Sequence, residues 1–284
     1  MHSTLFAVLL AGSAPAEAAP GASDTPAVLA PVHAIMDGIR RRDASAITAQ
    51  VHPTGNATAV IEQRDGTRII RRSDWATYLG LIRPGPERYQ ARLGNPSVEI
   101  DGDIAVVWVP YTFMIDGAVQ HSGVDHFDLV RENSQWKVLN ETWSQRTHGP
   151  APPPGDAAAV LVPVNALFAA FEGGDAAAML RQVYPEGRVT ASDLRADGAS
   201  GLRQQSWTQF AGRIRPNNGF QERISNPVIR IDGDIAMVWA PFVVRVTGVV
   251  GNCGVDHFDL VRENGTWKVM NLTFSSRTSG CPTR

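Results

Sequence analysis

Gly123-Val124-Asp125-His126-Phe127-Asp128-Leu129-Val130-Arg131-Glu132-Asn133 occurs twice: the same eleven residues return unchanged as Gly254 to Asn264. The offset of 131 residues also carries Asp101-Gly102-Asp103-Ile104-Ala105 onto Asp232-Gly233-Asp234-Ile235-Ala236, and Trp136-Lys137-Val138 onto Trp267-Lys268-Val269. Upstream the match runs one residue out of step, with Trp75 against Trp207 and Arg83-Pro84 against Arg215-Pro216. One copy therefore carries a single-residue change in the loop before Asn95-Pro96 and Asn226-Pro227. A repeat of this length exceeds the roughly 20–50 residues of a solenoid unit and reads as a duplicated domain. It divides the chain into a first copy at 27–148, a proline-rich linker at 149–156 and a second copy at 157–281. Proline continues neither a helix nor a sheet, which suits Pro150, Pro152, Pro153 and Pro154 to a linker.

Within a copy, Val28, Val32, Ile35, Met36 and Ile39 recur at helical spacing, with a counterpart over Val160 to Phe171. Asp43 and Asp175 are N-cap residues for a second, short helix ending near Pro53 and Pro185, and Ser73-Asp74-Trp75 and Ser206-Trp207 open a third. The remainder reads as strand, with Asp101-Gly102, Asp232-Gly233 and Asn264-Gly265 as turns.

The 284 residues are 43% hydrophobic and 19% charged, and a formal net charge of −2 without long Lys/Arg runs gives no electrostatic footprint for a nucleic acid or an anionic membrane. Thr4 to Ala11 is a short apolar run followed by Ala14-Pro15-Ala16 and Ala16-Glu17-Ala18, both small-x-small cleavage signatures. Residues 1–20 are expected to be a signal peptide, which implies a periplasmic or secreted protein; the run is too short for a membrane anchor. Export makes the two cysteines, Cys253 and Cys281, an expected disulfide. A strand register set by Asn264-Gly265 places Cys253 across from Ser276, so the tail Ser279-Gly280-Cys281-Pro282 has to curl back to close the bridge.

This order of elements, with the closing run "DGDIAVVW … GVDHFDLVREN … WKVLNETW", resembles the nuclear transport factor 2-like (SnoaL-like) superfamily over nearly all of both copies. The resemblance implies an α+β chain of two cone-shaped domains, each a curved antiparallel sheet wrapped around about three helices. It further implies a pocket inside the cone and a dimer contact on the outer sheet face. Ketosteroid-isomerase-like members carry a phenol on the first helix, and neither Val28 to Arg42 nor Val160 to Phe171 contains a tyrosine. Their oxyanion arrangement is therefore not carried over.

A plain hairpin at Asn264-Gly265 pairs Asp256 with Thr273, Phe258 with Asn271 and Leu260 with Val269, which puts these six on one face. The first copy gives Asp125, Phe127, Leu129, Val138, Asn140 and Thr142. Asp125 and Asp256 are the candidate acid-base residues, because a carboxyl in apolar surroundings has its pKa raised. Phe127, Asn140, Thr142, Phe258, Asn271 and Thr273 are the expected pocket lining, with Trp75 and Trp207 from the third helices. His126, Asp128, His257 and Asp259 fall on the opposite face, as the expected interface between the copies, with His126 across from Glu141. The second copy holds no histidine except His257, so no metal is expected, and no sequence motif calls for a cofactor. The expected function is an exported tandem binding module with a pocket in each domain for a small, largely apolar molecule. The alternatives are an isomerase or dehydratase using the pocket aspartates, and a non-catalytic assembly scaffold.

Overall fold

A computed structural model describes residues 24–63, 65–147, 152–153, 155–194, 200–216 and 219–282. The expected signal peptide, and much of the linker, lie outside the described residues. The first half holds helices α1 (Thr25–Arg41), α2 (Ala44–Thr48) and α3 (Trp75–Leu79) and strands β1 (Asn56–Glu62), β2 (Arg68–Asp74), β3 (Tyr89–Leu93), β4 (Ser97–Asp101), β5 (Ile104–Ile115), β6 (Ala118–Glu132) and β7 (Gln135–Gln145). The second half repeats the order with α4 (Ala157–Gly173), α5 (Ala176–Arg181), α6 (Trp207–Ala211) and strands β8 (Arg188–Leu194), β9 (Ser200–Ser206), β10 (Phe220–Ile224), β11 (Val228–Asp232), β12 (Ile235–Val246), β13 (Val249–Glu263) and β14 (Thr266–Ser276). Among the described residues only α1 and α4 are long; the other four helices have five or six residues each.

Each half is built around one seven-stranded sheet, ordered β2-β1-β7-β6-β5-β3 in the first and β9-β8-β14-β13-β12-β10 in the second, with β4 and β11 sharing β5 and β12. The sheet is antiparallel except where β1 runs parallel to β7 and β8 parallel to β14. The apolar stripe of α1, Val28, Val32, Ile35 and Met36, packs on the inner face against Val107, Val109, Phe127, Leu129 and Val138. Arg42 and Gly174 end the long helices in left-handed conformation, and Asp43 and Asp175 immediately cap the next ones through the Ala46 and Ala178 amides.

The repeated motifs have local causes. Arg131 and Arg262 each bind the aspartate of the preceding hairpin, Asp103 at 2.7 Å and Asp234 at 2.6 Å, and lie over Trp136 and Trp267. Asn264 and Gly265 both have positive φ, the two-residue turn the sequence calls for, and Asn133 and Ser134 do the same in the first half.

A third apolar cluster draws on both halves: Ile104, Val106, Trp108, Val130 and Leu139 meet Ile235, Met237, Trp239, Val261 and Met270. Cys253 and Cys281 are bonded, with Cα atoms 5.6 Å apart. Cys253 pairs with Arg277, not Ser276, because the hairpin register slips by one residue.

Candidate functional site

That slip decides which side chains face the interior. From the turn, Glu263 pairs with Thr266 and Leu260 with Val269 as a plain hairpin requires, but Asp259 then pairs with Asn271, so Met270 is an extra, bulged residue. Leu139 is its counterpart between the Leu129–Val138 and Asp128–Asn140 pairs. Beyond each bulge every side chain exchanges faces. Asn140, Thr142, Asn271 and Thr273 are therefore turned away from the interior and do not line a pocket. Glu141, expected beside His126 on the outer face, instead lies opposite Phe127 on the inner face, diagonal to Asp125.

The first half holds a partly open cavity of about 320 Å³ between α1, α3 and the inner sheet face. Met36, Ile39, Ile82 and Ala91 form apolar wall, and Tyr78, Tyr89, Tyr111, Phe113, His121 and Trp143 supply rings. Tyr78 stands edge-on to Trp143, with centroids 5.6 Å apart, and His121 stacks on Phe113 at 5.0 Å. The Tyr111 hydroxyl donates to the Ser144 carbonyl at 3.0 Å and lies 3.1 Å from His121 Nδ1. Burial drives the His121 imidazole down to about 4, so it is neutral, and raises the phenols of Tyr78 and Tyr111.

Asp125 and Glu141 are the acidic groups of this cavity, each 4% exposed. Burial pushes Glu141 up to about 8. Asp125 rises well above the carboxylate range, first through burial and then through the charge of Glu141. Oε2 of Glu141 has no hydrogen-bond partner, and among the described residues no lysine or arginine pairs with either carboxyl. A carboxyl pair held this way can donate or accept a proton near neutral pH.

The second half has kept the aspartate and lost the space. Met36, Ile39 and Tyr78 are replaced by Phe168, Phe171 and Phe210, and Tyr89 and Tyr111 by Phe220 and Phe242. Phe168 packs on Phe258 at 5.9 Å, and Phe171 on Phe210 at 5.4 Å. An opening of about 140 Å³ remains among Phe171, Phe210, Arg213, Ile214 and Phe220, and Asp256 does not line it. Leu272 stands where the first half has Glu141, yet Asp256 is still paired with an acid, because Glu222 enters from β10 where the first half has Ala91. Burial raises Glu222 to about 8, and burial followed by the Glu222 charge raises Asp256. The expectation of two like pockets is corrected: among the described residues, only the first-half cavity is lined by the buried aspartate.

Of the other candidates, Phe127 and Phe258 face inward but are fully buried core and line no cavity. Trp75 and Trp207 are likewise buried; each spends its indole N–H on the bulged residue, Leu139 at 2.8 Å and Met270 at 2.9 Å. Tyr78, one turn along the same helix, is the residue that reaches the cavity.

On the outer faces, Nε2 of His126 and Nε2 of His257 are 2.9 Å apart. His257 Nδ1 lies against Asp128, and His126 Nδ1 is 3.6 Å from Asp259. Asn140 and Asn271 donate to Asp128 at 2.9 Å and to Asp259 at 2.8 Å, while Thr142 reaches across to Asp259 at 2.9 Å. Burial raises the Asp128 carboxyl, but the neighbouring imidazoles and the hydrogen bonds leave it below its ordinary value. His126, Asp128 and His257 place donor atoms within 4.8 Å of one another, a spacing a metal ion could bridge. The 2.9 Å separation of the two Nε2 atoms, however, is that of a shared proton, with one ring donating and the other accepting.

Residues 23–144 match the model of a family described as "Putative lumazine-binding", a match confined to the first half. No functionally curated protein matches the chain. Solved structures similar to one half include a protein of unknown function with a cystatin-like fold from Nostoc punctiforme PCC 73102, at 13% identity over 44% of this chain and 92% of that one, TM-score 0.36. Nuclear transport factor 2-like proteins from Shewanella baltica OS155 (13% identity, 44% and 95% covered, TM-score 0.35) and Cytophaga hutchinsonii ATCC 33406 (12%, 44% and 100%, 0.36) are similar in the same way. The family match thus falls on one of two halves that share the same arrangement, a seven-stranded sheet with one long and two short helices.

Proposed function

We propose that the chain is an exported binding protein whose two halves form an intramolecular pseudo-dimer and whose first half alone takes up a small, largely apolar molecule. The observation that carries this reading is the cavity of about 320 Å³ around Asp125 and Glu141, whose size lies at the small end of ligand sites and whose lining is mostly apolar and aromatic. The description of the family matched by that same half also refers to a small ligand. Support for the pseudo-dimer comes from the buried Asp128–His257–His126–Asp259 chain, which takes one imidazole and one carboxylate from each half. Export is supported by the apolar run at residues 4–11 and by the disulfide.

A neutral probe tests the pocket. tert-Butylbenzene followed by ligand-observed NMR should bind once per chain, and Ala91→Glu, which copies Glu222 into the cavity wall, should weaken it. Two equivalent sites, or none, would overturn the reading. Acid-base chemistry is the second reading, favoured by the buried carboxyl pair; under it Asp125→Asn abolishes turnover of a substrate while leaving probe binding intact.

A further inference from the structure

The two carboxyls on the cavity wall are more than an apolar ligand requires. Asp125 and Glu141 stand diagonal on one sheet face, both nine-tenths or more buried, and Glu141 Oε2 is without a donor. The groups around them offer no positive charge: His121 is neutral and turned to Tyr111, and Tyr78 and Tyr111 are protonated phenols. Arg71 also lines the cavity, but it is exposed, where solvent screens it. Rings of Tyr78, Tyr89, Tyr111, Phe113 and Trp143 complete the walls. Aromatic walls with buried carboxylates and no internal cation form the combination that recognises an organic cation.

Building on the pocket reading above, we propose that the first-half cavity binds a small hydrophobic organic cation, an aryl or alkyl ammonium of single-ring size, held between its aromatic walls and neutralised by Asp125 and Glu141. The second half is an internal contrast. Its Asp256–Glu222 pair has no room for a ligand and is kept neutral by its own protons, whereas the first-half pair can exchange a proton for a guest. Occupancy by a cation favours the ionised form of Glu141, so binding releases protons below about pH 8 and tightens as pH rises toward that value.

The test compares phenyltrimethylammonium with its uncharged isostere tert-butylbenzene on the full chain, by calorimetry in two buffers of different ionisation enthalpy. The cation is expected to bind at least about tenfold more tightly than the isostere at pH 8, with net proton release at pH 7. Glu141→Gln should remove most of that preference. Glu141→Leu, which copies the residue of the second half and so is compatible with this fold, should remove it as well. Binding of tert-butylbenzene with equal or weaker binding of the cation would overturn the charge selectivity and leave the pocket reading standing. Failure of both probes to bind would overturn the two together. A cation preference that survives in both Glu141 variants would also overturn the assignment.

Discussion

Trp75 Nε1 donates a 2.8 Å hydrogen bond to the carbonyl of Leu139, the bulged residue of β7, and Trp207 repeats the contact to Met270 at 2.9 Å. A bulge removes a carbonyl from the strand ladder, and a buried indole N–H is the donor that satisfies it. Gly55 and Gly187 pack on the same carbonyls so closely that a Cβ would lie within 1.5 and 1.6 Å of the oxygen. Trp75→Phe should therefore destabilise the chain by about 1–3 kcal/mol for the orphaned carbonyl, in addition to lost packing. Gly55→Ala should do more damage, because backbone has to move. Urea midpoints will check both; a Trp75→Phe variant as stable as the parent would mean that the carbonyl needs no donor.

Stability should depend on pH through the raised carboxyls. Glu141 and Glu222 are lifted from 4.5 to about 8, so the folded chain holds more protons than the unfolded one between those values. Their contribution is complete below about pH 4.5, falls as pH rises, and is gone above pH 8. Melting temperature is thus expected to fall by several degrees from pH 5 to pH 8.5, and Glu141→Gln with Glu222→Gln should flatten that slope. An unchanged slope in the double variant would assign the effect elsewhere.

Closing the cavity with the residues of the second half should separate stability from binding. Met36→Phe, Ile39→Phe and Glu141→Leu together replace empty space and a buried acid by apolar contact, at roughly 25 cal/mol per Å² of apolar area buried. The triple variant is expected to gain melting temperature and to lose the probe. Retained probe binding in that variant would place the ligand outside the cavity between α1 and the sheet.

Reducing the Cys253–Cys281 bridge releases a loop spanning 28 positions. The chain-entropy model assigns such a loop about 3–4 kcal/mol, so melting with and without reductant should differ visibly. Cys253→Ser with Cys281→Ser should match the reduced protein. The first half, which carries Ser122 at the corresponding position, should show no such sensitivity to reductant when followed by amide exchange.

The duplication, the caps at Asp43, Asp175 and Ser206, and the turn at Asn264-Gly265 were legible because each depends on residues adjacent in sequence. His126, Asp128, His257 and Asp259 share one face because the pairing to the preceding strand runs without a shift over 121–130 of β6 and 252–261 of β13. The bulge was not legible. Leu139 and Met270 are ordinary strand residues, and their extra place in the register is stabilised by tryptophans more than sixty positions away. Counting straight through it put Asn140 and Thr142 inside and Glu141 outside, the reverse of what stands. The signal that could have exposed it is Gly55 before β1 and Gly187 before β8, conspicuous only once the strand beside them is known. Likewise the replacement of Met36, Ile39 and Tyr78 by three phenylalanines could be read from the alignment of the copies, but that these fill one volume could not.

The phenylalanine-filled interior of the second half bears on how many guests a chain can hold. In a dimer of identical chains each substitution is made twice, so a residue that seals one interior seals both, and a residue that opens one opens both. Here the copies are separate stretches of a single polypeptide, and each is free to drift. One holds an open chamber of about 320 Å³, while in the other the phenylalanines leave an opening of about 140 Å³ that the buried aspartate does not line. The expected stoichiometry is one guest per chain, which a symmetric pair could reach only if filling one site blocked its twin.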